Sequence, residues 1–126
     1  MLAEIKQAGT VQEYETPERC HITEVANDSG DELVSIARAR VEAGVTTAWH
    51  HLDGITERYI IVSGCGRVEI DNLDPCNVLP GDVVRIPAGR PQRITNTGQD
   101  DLVFFAVCAP PFREDCYISL ERDARL

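Results

Sequence analysis

The chain has 126 residues, 43% of them hydrophobic, and its 12 basic against 21 acidic side chains give a formal net charge of -9. That length suits one domain with a genuine core but not two, and the charge disfavours nucleic-acid backbones and anionic membranes as partners. No run approaches the roughly 18 apolar residues of a membrane span, and the opening Met1 to Lys6 lacks the basic-then-apolar order of a signal peptide, so a cytoplasmic location is expected.

Nothing between residues 10 and 110 has the periodicity of a long amphipathic helix. Short β-branched runs recur instead between turn signals, the cadence of an all-β sandwich or barrel. In chain order, residues 10–26 read as an N-terminal arm whose last part, 20–26, is a strand. Further strands are expected at 32–41, 45–52, 57–63, 66–71, 76–79, 83–87, 91–96 and 102–108. Each is bounded by chemically plausible breaks, such as Leu52-Asp53-Gly54, Ser63-Gly64 and Pro80-Gly81, because Gly supplies positive φ and Pro fixes a turn φ. Residues 110–126 open with Pro110-Pro111 and end charged, which suggests an irregular arm outside the barrel with a short helix near 113–122. The five cysteines, Cys20, Cys65, Cys76, Cys108 and Cys116, are odd in number and form no Cys-x-x-Cys pair, so neither a disulfide framework nor a thiolate zinc site is expected. Cys108 ends an apolar run and reads as a buried small hydrophobe.

Two stretches carry spacing of a more specific kind. In the first, Gly44 is followed after five residues by His50, then by Glu57, six further residues and Gly64. In the second, Gly81 is followed after five residues by Pro87-Ala88-Gly89, then Gln92 and, three residues later, Asn96. Over roughly residues 30–108 the chain resembles a small single-domain cupin of the RmlC-like type. The resemblance implies a double-stranded β-helix, or jelly-roll barrel, as the single domain 1–126, with short N- and C-terminal arms. It departs from the family pattern at two places: Leu52 stands where the second His of a His-x-His pair belongs, and Gln92 stands where a later His belongs.

In the family pattern, His-x-His presents two imidazoles to one side of a strand, because alternate residues share a face. By the same parity His50 goes with Leu52, and His51 goes with Asp53. The resemblance therefore implies His50, Glu57 and Gln92 as ligands of a divalent transition metal, Zn, Fe, Mn or Ni. An alternative register makes His51, Asp53 and Glu57 the set. Against both stands the reading of His50 as a pocket residue satisfied by a hydrogen bond. Tyr59 and Ile61 share the parity of Glu57 and, with Leu52, would line the same cavity, while Trp49 should face away from His50. Arg38 and Arg40 either lie on a solvated face or, if Val34 and Ile36 point inward, reach the pocket and clamp an acidic ligand.

Two functions stay open. One is a metal-dependent enzyme of the oxygenase, isomerase or decarboxylase type acting on a small polar or acidic molecule. The other is a non-catalytic module that holds a small ligand after losing its metal ligands; a sensory or partner domain is a weaker third. Metal-free proton chemistry would need a His–Asp or His–Tyr pair, for which His50 with Tyr59 is the visible candidate. Neither nucleic acid nor membrane is an expected partner. Resemblance and size both favour a homodimer, with residues 10–26 covering an exposed edge.

Overall fold

The computed structural model describes residues 1–121. Two antiparallel sheets face each other across the core. One contains, in chain order, β1 (Tyr14–Glu15), β2 (His21–Ala26), β3 (Ser35–Val41), β5 (Thr56–Ser63), β8 (Val83–Ile86) and β10 (Leu102–Ala109). The other contains β4 (His50–Leu52), β6 (Gly66–Ile70), β7 (Cys76–Val78), β9 (Gln92–Asn96) and β11 (Tyr117–Ser119).

Alternation along these strands decides what the barrel encloses. β9 reads buried, half-buried, buried, half-buried, buried, so Gln92, Ile94 and Asn96 point inward while Arg93 and Thr95 point out. On β5 the inward set is Glu57, Tyr59 and Ile61, and the outer face keeps Ile60 and Val62 exposed. One end of the interior is apolar, with Val41, Ile61, Ile86, Ile94 and Leu102 all no more than 2% exposed. Each such side chain contributes about 1.5–3 kcal/mol through burial. Polar residues collect at the other end, so the core is divided along its length into a packed floor and a chemically equipped mouth.

Two residues of the spaced stretches have structural duties. Asn96, 1% exposed, donates from Nδ2 to the carbonyls of Val41 and Asp100, both at 2.8 Å, and its Oδ1 accepts from the Gly98 N–H at 2.9 Å. It thus ties β9 to β3 and to the approach to β10. Gly64 ends β5 at φ +83°, where a Cβ would stand 2.6 Å from the Asp101 carbonyl oxygen and 3.0 Å from Leu102 Cα. The chain can pass from one sheet to the other at this point only without a side chain.

The C-terminal segment departs from the expected helix. Its 3₁₀ turn at Glu114–Cys116 leads into β11, which pairs antiparallel with β4 through Tyr117–Leu52, Ile118–His51 and Ser119–His50. An edge strand exposes unpaired N–H and C=O groups, and β4 has only a single residue pair, His50–Gln92, on its other side. Strand pairing satisfies what a helix here would leave open. Of the expected strand at 45–52, only His50–Leu52 forms; Thr46 contributes an isolated bridge to Thr95.

Candidate functional site

Four elements converge on the barrel mouth: β4, β5, β11 and the turn that precedes β2. In that turn Thr16 N–H donates to the Cys20 carbonyl at 2.9 Å and Arg19 N–H to the Thr16 carbonyl at 3.1 Å. Arg19 takes φ +67° to close the turn. Ala48 N–H holds the Glu18 carbonyl at 3.1 Å, so the Glu18 side chain lies over the mouth. Arg19 itself turns to Glu121, pairing both guanidinium nitrogens with its carboxylate at 3.0 Å, and donates from Nε to the Thr46 carbonyl. The same latch holds β11 in place.

His50 is 4% exposed. Its Nδ1 lies 2.7 Å from the Ala48 carbonyl oxygen. A carbonyl can only accept, so Nδ1 carries the proton and Nε2 keeps its lone pair. Nε2 has no hydrogen-bond partner among the described residues and opens onto the inner cavity. The Tyr117 ring stacks on the imidazole with centroids 4.7 Å apart. Burial holds His50 below its ordinary value, which keeps it neutral near pH 7.

Glu18 sits beside it, with Oε2 3.9 Å from His50 Nδ1. The Tyr117 hydroxyl and the Arg19 charge both favour the ionised form of the same carboxyl, yet burial dominates and pushes Glu18 up to about 7. One buried base and one near-neutral acid therefore share the mouth.

Below them runs a chain of hydrogen bonds. The Tyr59 hydroxyl donates to Gln92 Oε1, Gln92 Nε2 donates to Glu57 Oε1 at 2.8 Å, and the Cys108 thiol donates to Glu57 Oε2 at 3.5 Å. The Glu57 carboxyl is raised chiefly by burial, with the Gln92 amide and His50 acting the other way.

Three contiguous spaces meet at Glu18 and Phe112. An outer cleft of about 650 Å³ is bounded by Tyr14, Glu24 and Tyr117 among others. Inside it lie one cavity of about 50 Å³ that reaches His50, Leu52, Glu57 and Tyr59, and another of about 90 Å³ that reaches Ser35 and Cys108.

A family model of the cupin domain matches residues 37–108, more than half of the chain. The chain belongs to the cupin family. The uncharacterized protein MJ1618 of Methanocaldococcus jannaschii is 32% identical over 81 residues, a span of 64% of each chain and so less than two thirds of that relative's length. A predicted oxalate decarboxylase from Thermotoga maritima superposes with a TM-score of 0.76 at 21% identity, over 85% of this chain and 99% of that one. The nucleoside dehydratase Pac13 of Streptomyces superposes with a TM-score of 0.79 at 15% identity, covering 95% of this chain and 92% of that one. At these identities the superpositions establish the double-stranded β-helix fold and nothing finer.

Within this cupin barrel, His50, Leu52, Glu57, Tyr59 and Ile61 all face inward. Other sequence expectations need correction. Gln92, at 1% exposure, lies behind Glu57 and Tyr59 with both amide atoms engaged, and it does not border the inner cavity. The amide oxygen that would have served as a ligand already accepts from Tyr59. With Leu52 offering no donor, the set His50, Glu57, Gln92 does not fit a resident transition metal. The alternative set fails too, because His51 lies on the opposite face of β4 from His50 and Asp53 is exposed in the following turn. No group of three or more His, Cys, Asp and Glu side chains among the described residues is placed to hold a metal ion.

Arg38 and Arg40 point away from the cavity. Ser35, Ala37 and Ala39 occupy the inner face of β3, and both arginines pair with Glu13 on the outer face, Arg40 at 2.7 Å. Trp49, half-buried, lies under the Arg93 guanidinium at 5.3 Å. The residues that sequence reasoning missed are Glu18, Phe112 and Tyr117. None has a spacing signature, and each comes from a turn or arm outside the recognised stretches.

Proposed function

We propose that this cupin is a small-molecule enzyme working by general acid–base catalysis without a resident metal, of the isomerisation or elimination type. The observation that carries the reading is the His50 tautomer. With Nδ1 anchored to the Ala48 carbonyl, the neutral imidazole presents an unpartnered Nε2 lone pair to the inner cavity. His50 Nε2 takes a proton from the substrate, and Glu18, pushed up to about 7 by burial, delivers one to the departing or accepting atom. Tyr117 flanks both groups, with its ring stacked on the imidazole and its hydroxyl favouring the ionised carboxyl. The Tyr59–Gln92–Glu57–Cys108 chain fixes the floor on which the substrate rests.

Pac13 supports the reading, since that nucleoside dehydratase has been solved with uridine in Tyr-to-Phe and His-to-Gln variants. The engagement of both Gln92 amide atoms and both Glu57 oxygens in one network supports the metal-free part.

The test has two measurements. Elemental mass spectrometry on wild-type protein and on His50→Ala is expected to find no stoichiometric transition metal in either; one equivalent in the wild type, lost in the variant, overturns the metal-free reading. Small ketones, hydroxy acids and amino compounds incubated with the protein in D2O are then followed by NMR. Deuterium should enter at a carbon-bound hydrogen with wild type and not with His50→Gln. Absence of exchange across the panel leaves the cavity as a binding module. The expected homodimer, with the N-terminal arm at the interface, is checked by gel filtration; elution at the mass of one chain removes it.

A further inference from the structure

The lining of the three connected cavities has a chemical bias. Glu18, Glu24 and Glu57 contribute carboxylates, Tyr14 and Tyr117 contribute rings, and His50 contributes a lone pair. Among the described residues, no Lys or Arg lines any of the three. The nearest guanidinium, Arg19, is engaged by Glu121 and the Thr46 carbonyl. Apart from the Asn27 amide, whose N–H is taken by the Phe112 carbonyl, the polar groups facing the space are carboxyls, hydroxyls, thiols and the His50 lone pair. Burial raises Glu18, Glu24 and Glu57 toward their neutral forms, so a positive charge entering the space would be the counter-charge that holds them ionised.

We infer that the cavity takes a small organic cation, an ammonium carried on a short apolar frame. The charge sits between Glu18 and Glu24 at the mouth, and the frame lies against Phe112 and the faces of Tyr14 and Tyr117. Desolvated ammonium groups are held by carboxylates and by aromatic faces, and both are present here with no competing cation among the described residues. His50 supplies an independent indication of a ligand. Its side chain is 4% exposed, and its Nε2 faces the cavity with no protein partner, an acceptor waiting for a donor from outside the chain. An anionic ligand, by contrast, would meet five glutamates, Glu15, Glu18, Glu24, Glu57 and Glu114, and no counter-charge among the described residues. The acidic ligand expected from Arg38 and Arg40 is therefore replaced by its opposite, because those arginines serve Glu13 on the outer face.

This assignment deepens the reading of the same cavity as a metal-free site, and its test fails separately. Isobutyl, cyclohexyl and benzyl frames, each as amine, alcohol and carboxylic acid, are titrated into the intact protein at neutral pH and followed by calorimetry and amide NMR shifts. At least one amine should bind at least about tenfold more tightly than its alcohol, and its carboxylate should not bind. Glu18→Gln should remove that preference by a similar factor, and added salt should weaken it. Because wild type alone ranks the three charge states, the result does not depend on the variant folding. Equal binding of the three forms, a preference for the carboxylate, or no binding by any amine overturns the inference. Proton exchange on an uncharged compound, with no amine preference, sinks the cation assignment and leaves the acid–base reading standing. Amine binding without exchange does the reverse.

Discussion

Glu18→Gln is expected to stabilise the protein at neutral and alkaline pH and to have little effect near pH 5. The carboxyl has an ordinary value of 4.5 and is pushed to about 7 in the folded chain. Below about pH 4.5 it is protonated in both folded and unfolded states, so burial costs nothing extra. As pH rises past 4.5 the unfolded chain ionises while the folded chain retains its proton, and stability falls until the folded group also ionises near 7. At about 1.4 kcal/mol per pH unit, the difference is on the order of 3 kcal/mol. Glutamine keeps a polar group of the same size beside Tyr117 and carries no charge at any pH. Thermal melts should show the variant roughly 10 °C above wild type at pH 8, with the gap closing toward pH 5. A gap that does not change with pH would mean that Glu18 ionises as freely as in water, and its role as proton donor would fall with it. The same substitution should abolish deuterium exchange, so that stability gained and turnover lost come from one carboxyl.

Gly64→Ala is expected to cost about 3 kcal/mol, enough to lower the melting temperature by roughly 10 °C. Two penalties combine. The residue holds φ +83°, where an L side chain is strained, and the added methyl would lie 2.6 Å from a backbone oxygen that cannot rotate away. Gly44, at φ +78°, is the control, because nothing lies within 4 Å of a Cβ there. Gly44→Ala should lose only the conformational part, about 1 kcal/mol. Chemical denaturation of both variants separates the terms. Equal losses would show that the close approach of Asp101 relaxes without resistance.

The barrel was legible because its information is local. Gly44, Gly64, Gly81 and Gly89 stand at positive φ in the turns where the spacing placed them, and alternation put Glu57, Tyr59 and Ile61 on one side of β5. Ligand positions were legible as positions, but their chemistry depended on neighbours. Whether Gln92 offers an oxygen outward or holds it for Tyr59 is decided by a residue 33 positions earlier. Arg38 and Arg40 had two faces open to them, and the choice was made by Glu13, which β2 and the N-terminal arm bring alongside β3. Glu18 was invisible for another reason. It lies in a charged turn, Thr16-Pro17-Glu18-Arg19, that reads as surface, and only the positive φ of Arg19 and the bond from Ala48 tip its side chain over the mouth. Long-range closure of this kind leaves no spacing to detect.

The stacking of Tyr117 on His50 makes the site depend on a part of the fold that the core does not need. Tyr117 stands on β11, which joins its sheet only through β4, whereas the larger apolar cluster includes no residue of β11. With β11 displaced from β4, the His50 ring would be bare on one side while that cluster kept its packing. The acid–base pair is therefore tied to the pairing of β11 with β4 and to the latch between Glu121 and Arg19.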